Sequence, residues 1–183
     1  MSKKLQGIFL ILLSSLLLGS YGVWSRLIGD DFGVFFQGYT RAIIILLVLT
    51  PLLYLTKKLI PVQRKDWGWL CVFGLFTSFT QAPLFYAFNH MDIGSATLIF
   101  FVSMLLTMYL MGIFFFKEKL TVTVGVAFVL ACIGLYSIFS FSIAAFAVLA
   151  AALAALNGIA SGGEVSSSKK LSGDYSPLYI TWW

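Results

Sequence analysis

The sequence predicts an all-α protein that crosses the membrane several times. Of its 183 residues, 60% are hydrophobic and only 10% are charged, whereas soluble domains carry about 25% charged residues. A soluble domain of this size could not bury so much apolar surface. Between Asp92 and Lys117 lie 24 consecutive residues without a charge, enough for a helix to cross about 30 Å of hydrocarbon.

Apolar runs along the chain predict about six spans, at 5–27, 34–55, 67–88, 93–116, 122–139 and 143–165. After Lys119 the next charged residue is Glu164. Because that stretch is long enough for two crossings, we place a tight turn at 139–142. A signal peptide is the alternative for the first run, but the run lacks a clear cleavage site between small residues.

Basic residues occupy alternate loops. Ten of the twelve lysines and arginines lie before the first span, between the second and third, between the fourth and fifth, or after the sixth. The loops at the opposite end hold Asp30, Asp31, His90 and Asp92 but no lysine. The positive-inside rule therefore predicts a cytoplasmic N-terminus, and we expect the protein to lie in the cell inner membrane. Since the charge of +5 sets topology, it does not indicate a nucleic-acid partner.

Catalytic chemistry is not indicated. Cys71 and Cys132 lie inside apolar runs, where thiols are usually inert packing residues. The sequence shows no nucleophile–base pair, no nucleotide-binding loop and no metal-ligand cluster. We therefore predict no catalytic residue, metal or other cofactor, and an intramembrane enzyme is only a remote alternative.

An internal repeat is indicated by an offset of 143 residues, which lays Gly19 on Gly162, Ser25 on Ser168 and Asp31 on Asp174. Five spans separate the two copies, and an odd number inverts the second copy in the membrane. The sequence thus predicts a first repeat at 1–141 and the start of an inverted second repeat at 142–183. We expect about 100 further residues to complete that second repeat.

Four short segments carry a family resemblance: GYTR at 38–41, FYAFN at 85–89, SATL at 95–98 and EKLT at 118–121. With the glycine-marked fifth span, they resemble the drug/metabolite transporter superfamily, EamA type. The resemblance implies ten helices in two inverted repeats and the export or import of small metabolites. Members commonly have a proline midway along the fourth helix, where this chain has Ser103 to Leu106.

Two charged residues inside the spans are candidate functional groups, because charge at membrane depth is costly and usually faces a cavity or a partner. Arg41 either snorkels outward or holds a substrate carboxylate, and Gln37, four residues earlier, could share that ligand. Glu164 either pairs with Lys169 or Lys170 at the membrane border or acts in coupling or in binding a substrate amine.

Uncharged polar and aromatic residues complete the set of substrate-binding candidates. Their alternative roles are interhelical hydrogen bonding and, for two of the aromatic residues, an interfacial belt. The offset pairs Tyr21 with Glu164. Gly158-x-x-x-Gly162 predicts close helix packing. The further candidates are Tyr21, Trp24, Gln81, Tyr86, Asn89, Ser103 and Thr107.

These observations favour a secondary active transporter of small metabolites that works by gradient-driven alternating access. The alternative is a truncated, non-transporting fragment or a half-transporter that needs a partner. The predicted partners are a small-molecule substrate, the lipid bilayer and, for a half-transporter, a second copy of the chain in a homodimer.

Overall fold

The computed structural model describes residues 3–29, 31–117, 121–139 and 145–183, and regular structure in these ranges is helical. The prediction of an all-α fold is confirmed. The helices are α1 (Lys3–Ile28), α2 (Val34–Leu55), α3 (Trp67–Ser78), α4 (Ala82–His90), α5 (Ile93–Phe116), α6 (Val122–Phe139), α7 (Ala145–Leu171) and α8 (Pro177–Trp182), with a 3-10 turn at Arg64–Asp66.

Five helical stretches are long and apolar enough to cross a membrane, so the protein is a multi-pass membrane protein. α6 has the bounds predicted for the fifth span and contains the shorter apolar helix Gly125–Gly134. Beyond residue 139, the predicted turn at 139–142 lies outside the described residues. The five stretches are Leu5–Ile28, Val34–Leu55, Arg64–His90, Ile93–Phe116 and Val148–Leu171.

The third span is divided, whereas the sequence predicts a single run. Phe79, Thr80 and Gln81 lie between α3 and α4. Pro83 explains the division, since it stands in the first turn of α4 and has no N–H to donate to the carbonyl of Phe79, four residues earlier. We call residues 79–81 the break.

The helix of the sixth predicted span is longer than expected. α7 ends at Leu171, whereas the sequence predicts an end near residue 165. Serine hydroxyls bond back to carbonyls of their own helix, as Ser167 Oγ does to Gly163 O at 2.7 Å and Ser168 Oγ to Val165 O at 2.8 Å. Such bonds leave the backbone helical through a polar stretch.

α5 and α7 pack closely along the predicted glycine motif. A Cβ atom on Gly158 would collide with the Phe100 carbonyl oxygen, and one on Gly162 would collide with that of Met104. The prediction of close packing at these two glycines is confirmed, and it follows from their lack of a side chain.

Two clusters of buried residues hold the helices together. The first joins α4, the start of α5 and the start of α7. The second joins the end of α2, α3, the end of α7 and α8. The first contains Leu84, Phe85, Ala87, Phe88, Ala96, Ile99, Ala150 and Ala154, and the second contains Leu53, Leu70, Phe73, Leu171, Tyr175, Tyr179 and Ile180.

Helix limits follow the offset of 143 residues found in the sequence. The end of α1 at Ile28 corresponds to Leu171, which ends α7, and the start of α2 at Val34 corresponds to Pro177, which starts α8. α1 and α7 are thus related in position and almost equal in length, with 26 and 27 residues.

Candidate functional site

A cavity of about 1300 Å³ lies between the helices. α2, α3, α4, α5, α7 and α8 contribute to its wall, and so does the break. Much of the wall is apolar, and among the described residues the charged side chains that line it are those of Arg41, Glu164 and Lys169. Apolar walls with a few polar groups are typical of small-molecule sites. The apolar lining includes Phe73, Phe100, Met104, Met108 and Phe116.

The Arg41 side chain is held by two polar residues of other spans. Its Nη1 donates to the hydroxyl of Tyr21 at 2.9 Å and to Oε1 of Gln81 at 2.8 Å. The Tyr21 hydroxyl donates to the same Gln81 oxygen at 2.8 Å, and the guanidinium carbon lies 5.5 Å from the centre of the Tyr21 ring. The sequence left open whether Arg41 snorkels outward, and this geometry directs it to the middle of the third span.

The rest of the Arg41 guanidinium has no hydrogen-bond partner among the described residues, since both of its hydrogen bonds use Nη1. Nε and Nη2 form the edge that can bind both oxygens of a carboxylate side by side. Because Arg41 lines the cavity, an anion in the cavity could occupy that edge. This arrangement favours carboxylate binding over snorkelling.

Gln81 owes its position to the break in the third span. Its Nε2 donates to the hydroxyl of Thr80 at 3.4 Å, and that hydroxyl donates to the carbonyl of Thr77 at 2.8 Å. The amide is therefore tied to the end of α3 on one side and to Arg41 on the other. Interrupted helices at membrane depth are places where transporters form substrate sites.

Glu164 lies on the α7 side of the same cavity. It forms no salt bridge with Arg41 among the described contacts. Of the two roles left open by the sequence, this position favours one in the cavity over pairing at the border.

Gln37 lies outside the cavity, although it shares a helix face with Arg41. Its side chain is buried at 7% exposure. Its Oε1 accepts from Ser25 Oγ at 2.9 Å, and its Nε2 donates to Phe32 O at 3.1 Å. Both ends of the amide thus have partners in α1 and the α1–α2 turn, where Gln37 joins the first two helices.

Three further candidates lie at helix contacts or on the surface. The Tyr86 ring stacks on His90 with centroids 3.9 Å apart. The Asn89 side chain fills the space where Gly29 has no Cβ atom. Trp24 is 63% exposed on α1, which suits the interfacial-belt alternative.

Ser103 and Thr107 lie where α5 meets α7. They pack against Gly158 and Gly162, respectively, and the Thr107 hydroxyl donates to the Ser103 carbonyl at 2.9 Å. Of the ten candidates, Arg41, Gln81 and Glu164 line the cavity, and Tyr21 bonds to the first two of these from α1. The other six lie elsewhere.

Residues that the sequence reasoning missed belong to the break and to the helix that covers it. Thr77 and Thr80 line the cavity, and Asn157 of α7 donates to the break. Pro83 was a signal for the break, since proline interrupts helices. Asn157 was a second signal, because it is an isolated polar residue in an alanine-rich run.

The sequence matches the model of one known protein family. A sequence model described as the EamA-like transporter family matches residues 5–140. No curated protein and no solved structure matches the chain.

Proposed function

Because the chain belongs to the EamA-like transporter family, we propose that it is a secondary transporter of small metabolites that carry a carboxylate. One observation carries this proposal: Arg41 lines the cavity, and its described hydrogen bonds use Nη1 and leave Nε and Nη2 for a ligand. A guanidinium at membrane depth is costly without an anionic partner. A substrate carboxylate would supply that partner and gain a bidentate contact.

Glu164 is the group we assign to coupling. It lines the same cavity as Arg41 and Lys169. A substrate carboxylate bound at Arg41 would add a negative charge to this cavity, and a negative charge nearby favours the protonated form of the Glu164 carboxyl. Substrate and proton movements would thereby be linked.

The repeat relation supports alternating access as the mechanism. The family match ends at residue 140, and α7 and the start of α8 repeat the limits of α1 and α2. Both findings support a first repeat at 1–141 and the start of an inverted second repeat at 142–183. In this proposal the two repeats rock about the cavity.

The proposed membrane is the cell inner membrane, with the N-terminus in the cytoplasm. The supporting observation is the asymmetry of the loops, because lysine and arginine are concentrated in cytoplasmic loops of such proteins. The loops that would face outward contain Asp31, His90 and Asp92.

The test uses the full-length protein in phosphatidylethanolamine–phosphatidylglycerol liposomes without ATP. Labelled lactate, succinate, glycine and leucine serve as carboxylate probes, and glucose and glycerol serve as probes without a carboxylate. We expect at least one carboxylate to enter faster than in protein-free liposomes and to respond to an imposed pH gradient. Uptake of the sugar and glycerol alone, or a requirement for ATP, would refute the proposal.

Glu164→Gln separates coupling from binding. This variant should lose the response to the pH gradient but still exchange labelled for unlabelled substrate, since exchange needs no net proton movement. A variant that keeps the pH response would remove Glu164 from coupling and leave the carboxylate site intact.

A further inference from the structure

Asn157 is a fully buried polar residue in the middle of α7, at 0% exposure. Its Nδ2 donates to the carbonyl oxygen of Phe79 at 3.2 Å, whereas its Oδ1 is buried with no hydrogen-bond partner among the described residues. A buried amide with one unpaired end is costly to stability. The side chain therefore calls for an explanation other than packing.

The Phe79 carbonyl is the backbone group that Pro83 leaves without its usual donor. In an uninterrupted helix the N–H of residue 83 would bond to this oxygen, and proline has none. The Asn157 amide takes the place of that N–H. It thus fixes the break from α7, a helix more than 70 residues further along the chain.

The hydrogen bond from Asn157 fixes Phe79, which lies only two residues before Gln81 on the cavity wall. Thr80 is buried and is tied to the end of α3 by its hydroxyl. Gln81 is bonded to Thr80 through Nε2 and to Arg41 through Oε1. The position of the Phe79 peptide therefore sets where Gln81 holds the guanidinium.

The α7 backbone at Asn157 is itself held firmly. The adjacent Gly158 approaches the backbone of α5 so closely that a Cβ atom there would collide with the Phe100 carbonyl. α7 cannot move past α5 at this level without separating from it. The position of the α5–α7 pair is thus passed through Asn157 to the break.

We infer that Asn157 is a positioning residue for Arg41: through the Phe79 carbonyl it fixes the break, and through Gln81 it fixes the guanidinium. The consequence for transport rests on the proposed function, because it makes carboxylate binding depend on where α7 stands. The geometric claim does not, and it can be tested in the protein without substrate.

The probe is phenylglyoxal, which modifies arginine, and mass spectrometry of peptides gives the rate at each arginine of the purified full-length protein. Arg64, on the α2–α3 connection, is the internal control. In Asn157→Leu we expect Arg41 to react faster by about two- to tenfold, the range that loss of one hydrogen bond gives. The rate at Arg64 should not change.

Gln81→Leu removes a direct bond to Arg41 and should accelerate its modification at least as much. Because Asn157 acts through Gln81, adding Asn157→Leu to Gln81→Leu should cause no further acceleration. Pro83→Ala restores an N–H that can bond to Phe79, so it should return the Arg41 rate in Asn157→Leu towards that of the parent protein.

Ser167→Ala is the matched control, since Ser167 is a fully buried polar residue of α7 whose described hydrogen bonds all stay within its own helix. It should leave the rate at Arg41 unchanged. Asn157→Ala serves if Asn157→Leu does not fold. An unchanged Arg41 rate in the folded Asn157 variant, or an equal acceleration at Arg64, would overturn the inference. Neither result depends on whether carboxylates are transported.

Discussion

Arg41 of α2 donates a hydrogen bond of 2.8 Å from Nη1 to Oε1 of Gln81, and this bond joins the second span to the break in the third. Tyr21 of α1 bonds to both residues. Three spans therefore meet at one cation that lines the cavity. Variants at these positions distinguish effects on carboxylate binding from effects on the stability of the fold.

Arg41→Lys should weaken carboxylate binding. A lysine keeps the charge but lacks the planar edge that binds both carboxylate oxygens. Loss of one charge-assisted hydrogen bond costs about 1.5 to 3 kcal/mol, which corresponds to about 10- to 150-fold in the dissociation constant. The measurement is titration of the full-length protein with the carboxylate probe that is transported best. An unchanged dissociation constant would remove Arg41 from the site.

Arg26→Lys is the control for that variant. Arg26 donates from Nε and Nη2 to the carbonyl of Phe88 at 3.0 and 2.7 Å, and from Nη2 to that of Met91 at 2.6 Å. It does not line the cavity. Its replacement by lysine should lower the melting temperature and leave the carboxylate dissociation constant as it was.

Gln81→Glu should abolish carboxylate binding and yet stabilise the protein. The new carboxylate would stand where Oε1 now accepts from Arg41, so it would pair with the guanidinium and neutralise it. The bond that Arg41 donates would become an ion pair, and the bond that Tyr21 donates to the same oxygen would become charge-assisted, which adds on the order of 1 kcal/mol. We expect a higher melting temperature in detergent together with loss of binding in the same titration.

Gln37→Glu makes the same chemical change at a buried position where no cation is among the described partners of the side chain. There the Nε2 group donates to Phe32 O, and a carboxylate would face that carbonyl instead. The melting temperature should fall, because burying a carboxylate oxygen without a hydrogen-bond donor costs free energy of folding. If both variants shift the melting temperature in the same direction, pairing of residue 81 with Arg41 is not the cause of stabilisation.

Span limits could be predicted from the sequence because charged borders and uninterrupted apolar runs determine where a helix can lie in a bilayer. α2 and α6 have the bounds that the sequence predicts. The two glycines of α7 were also predictable, since a small-residue motif has few other uses in an apolar helix.

Side-chain partners could not be predicted, because a helix face gives a direction and not the neighbour that lies there. Gln37 and Arg41 share a face, yet Gln37 meets Ser25 and Arg41 meets Tyr21 and Gln81. The role of Asn157 could not be predicted without knowing where the third span is interrupted. Its partner, the Phe79 carbonyl, is 78 residues away in the sequence.

Membrane orientation is tested by fusing a reporter that is active only in the cytoplasm. If the N-terminus is cytoplasmic, the reporter should work when fused at Lys58 or Lys117, which lie in basic loops. It should fail at Asp31 or Asp92. The reverse pattern would overturn the proposed orientation but not the contacts around Arg41.

Asp92 should make the protein less stable in acid. It caps α5, and the Ser95 N–H, at 2.8 Å, together with the Ser95 hydroxyl lowers the pKa of this carboxyl. A lowered pKa stabilises the folded state above the unfolded value of about 3.9. That stabilisation is lost as pH falls through the folded-state pKa.

The measurement for Asp92 is the melting temperature between about pH 5 and pH 3. Asp92→Asn keeps a capping oxygen but cannot titrate, so its melting temperature should fall less over this range than that of the parent protein. Equal slopes for the two proteins would show that the cap makes no contribution to the pH dependence.

Gly158→Ala should separate α7 from α5. The added Cβ would meet the Phe100 carbonyl oxygen and the Ser103 Cβ, and backbone atoms cannot turn aside as a flexible side chain can. Overpacking of this kind costs about 1 to 3 kcal/mol, more than the roughly 1 kcal/mol that alanine gains over glycine in a helix. Gly125→Ala should keep that gain, because a Cβ atom added there would meet no described atom within 4 Å beyond its chain neighbours and its own helix backbone. We therefore expect the melting temperature in detergent to fall for residue 158 and to hold or rise for residue 125. If alanine is tolerated equally at both positions, α5 and α7 are not in backbone contact. The close packing that is proposed to hold α7 in place, and through Asn157 to position Arg41, would then be absent.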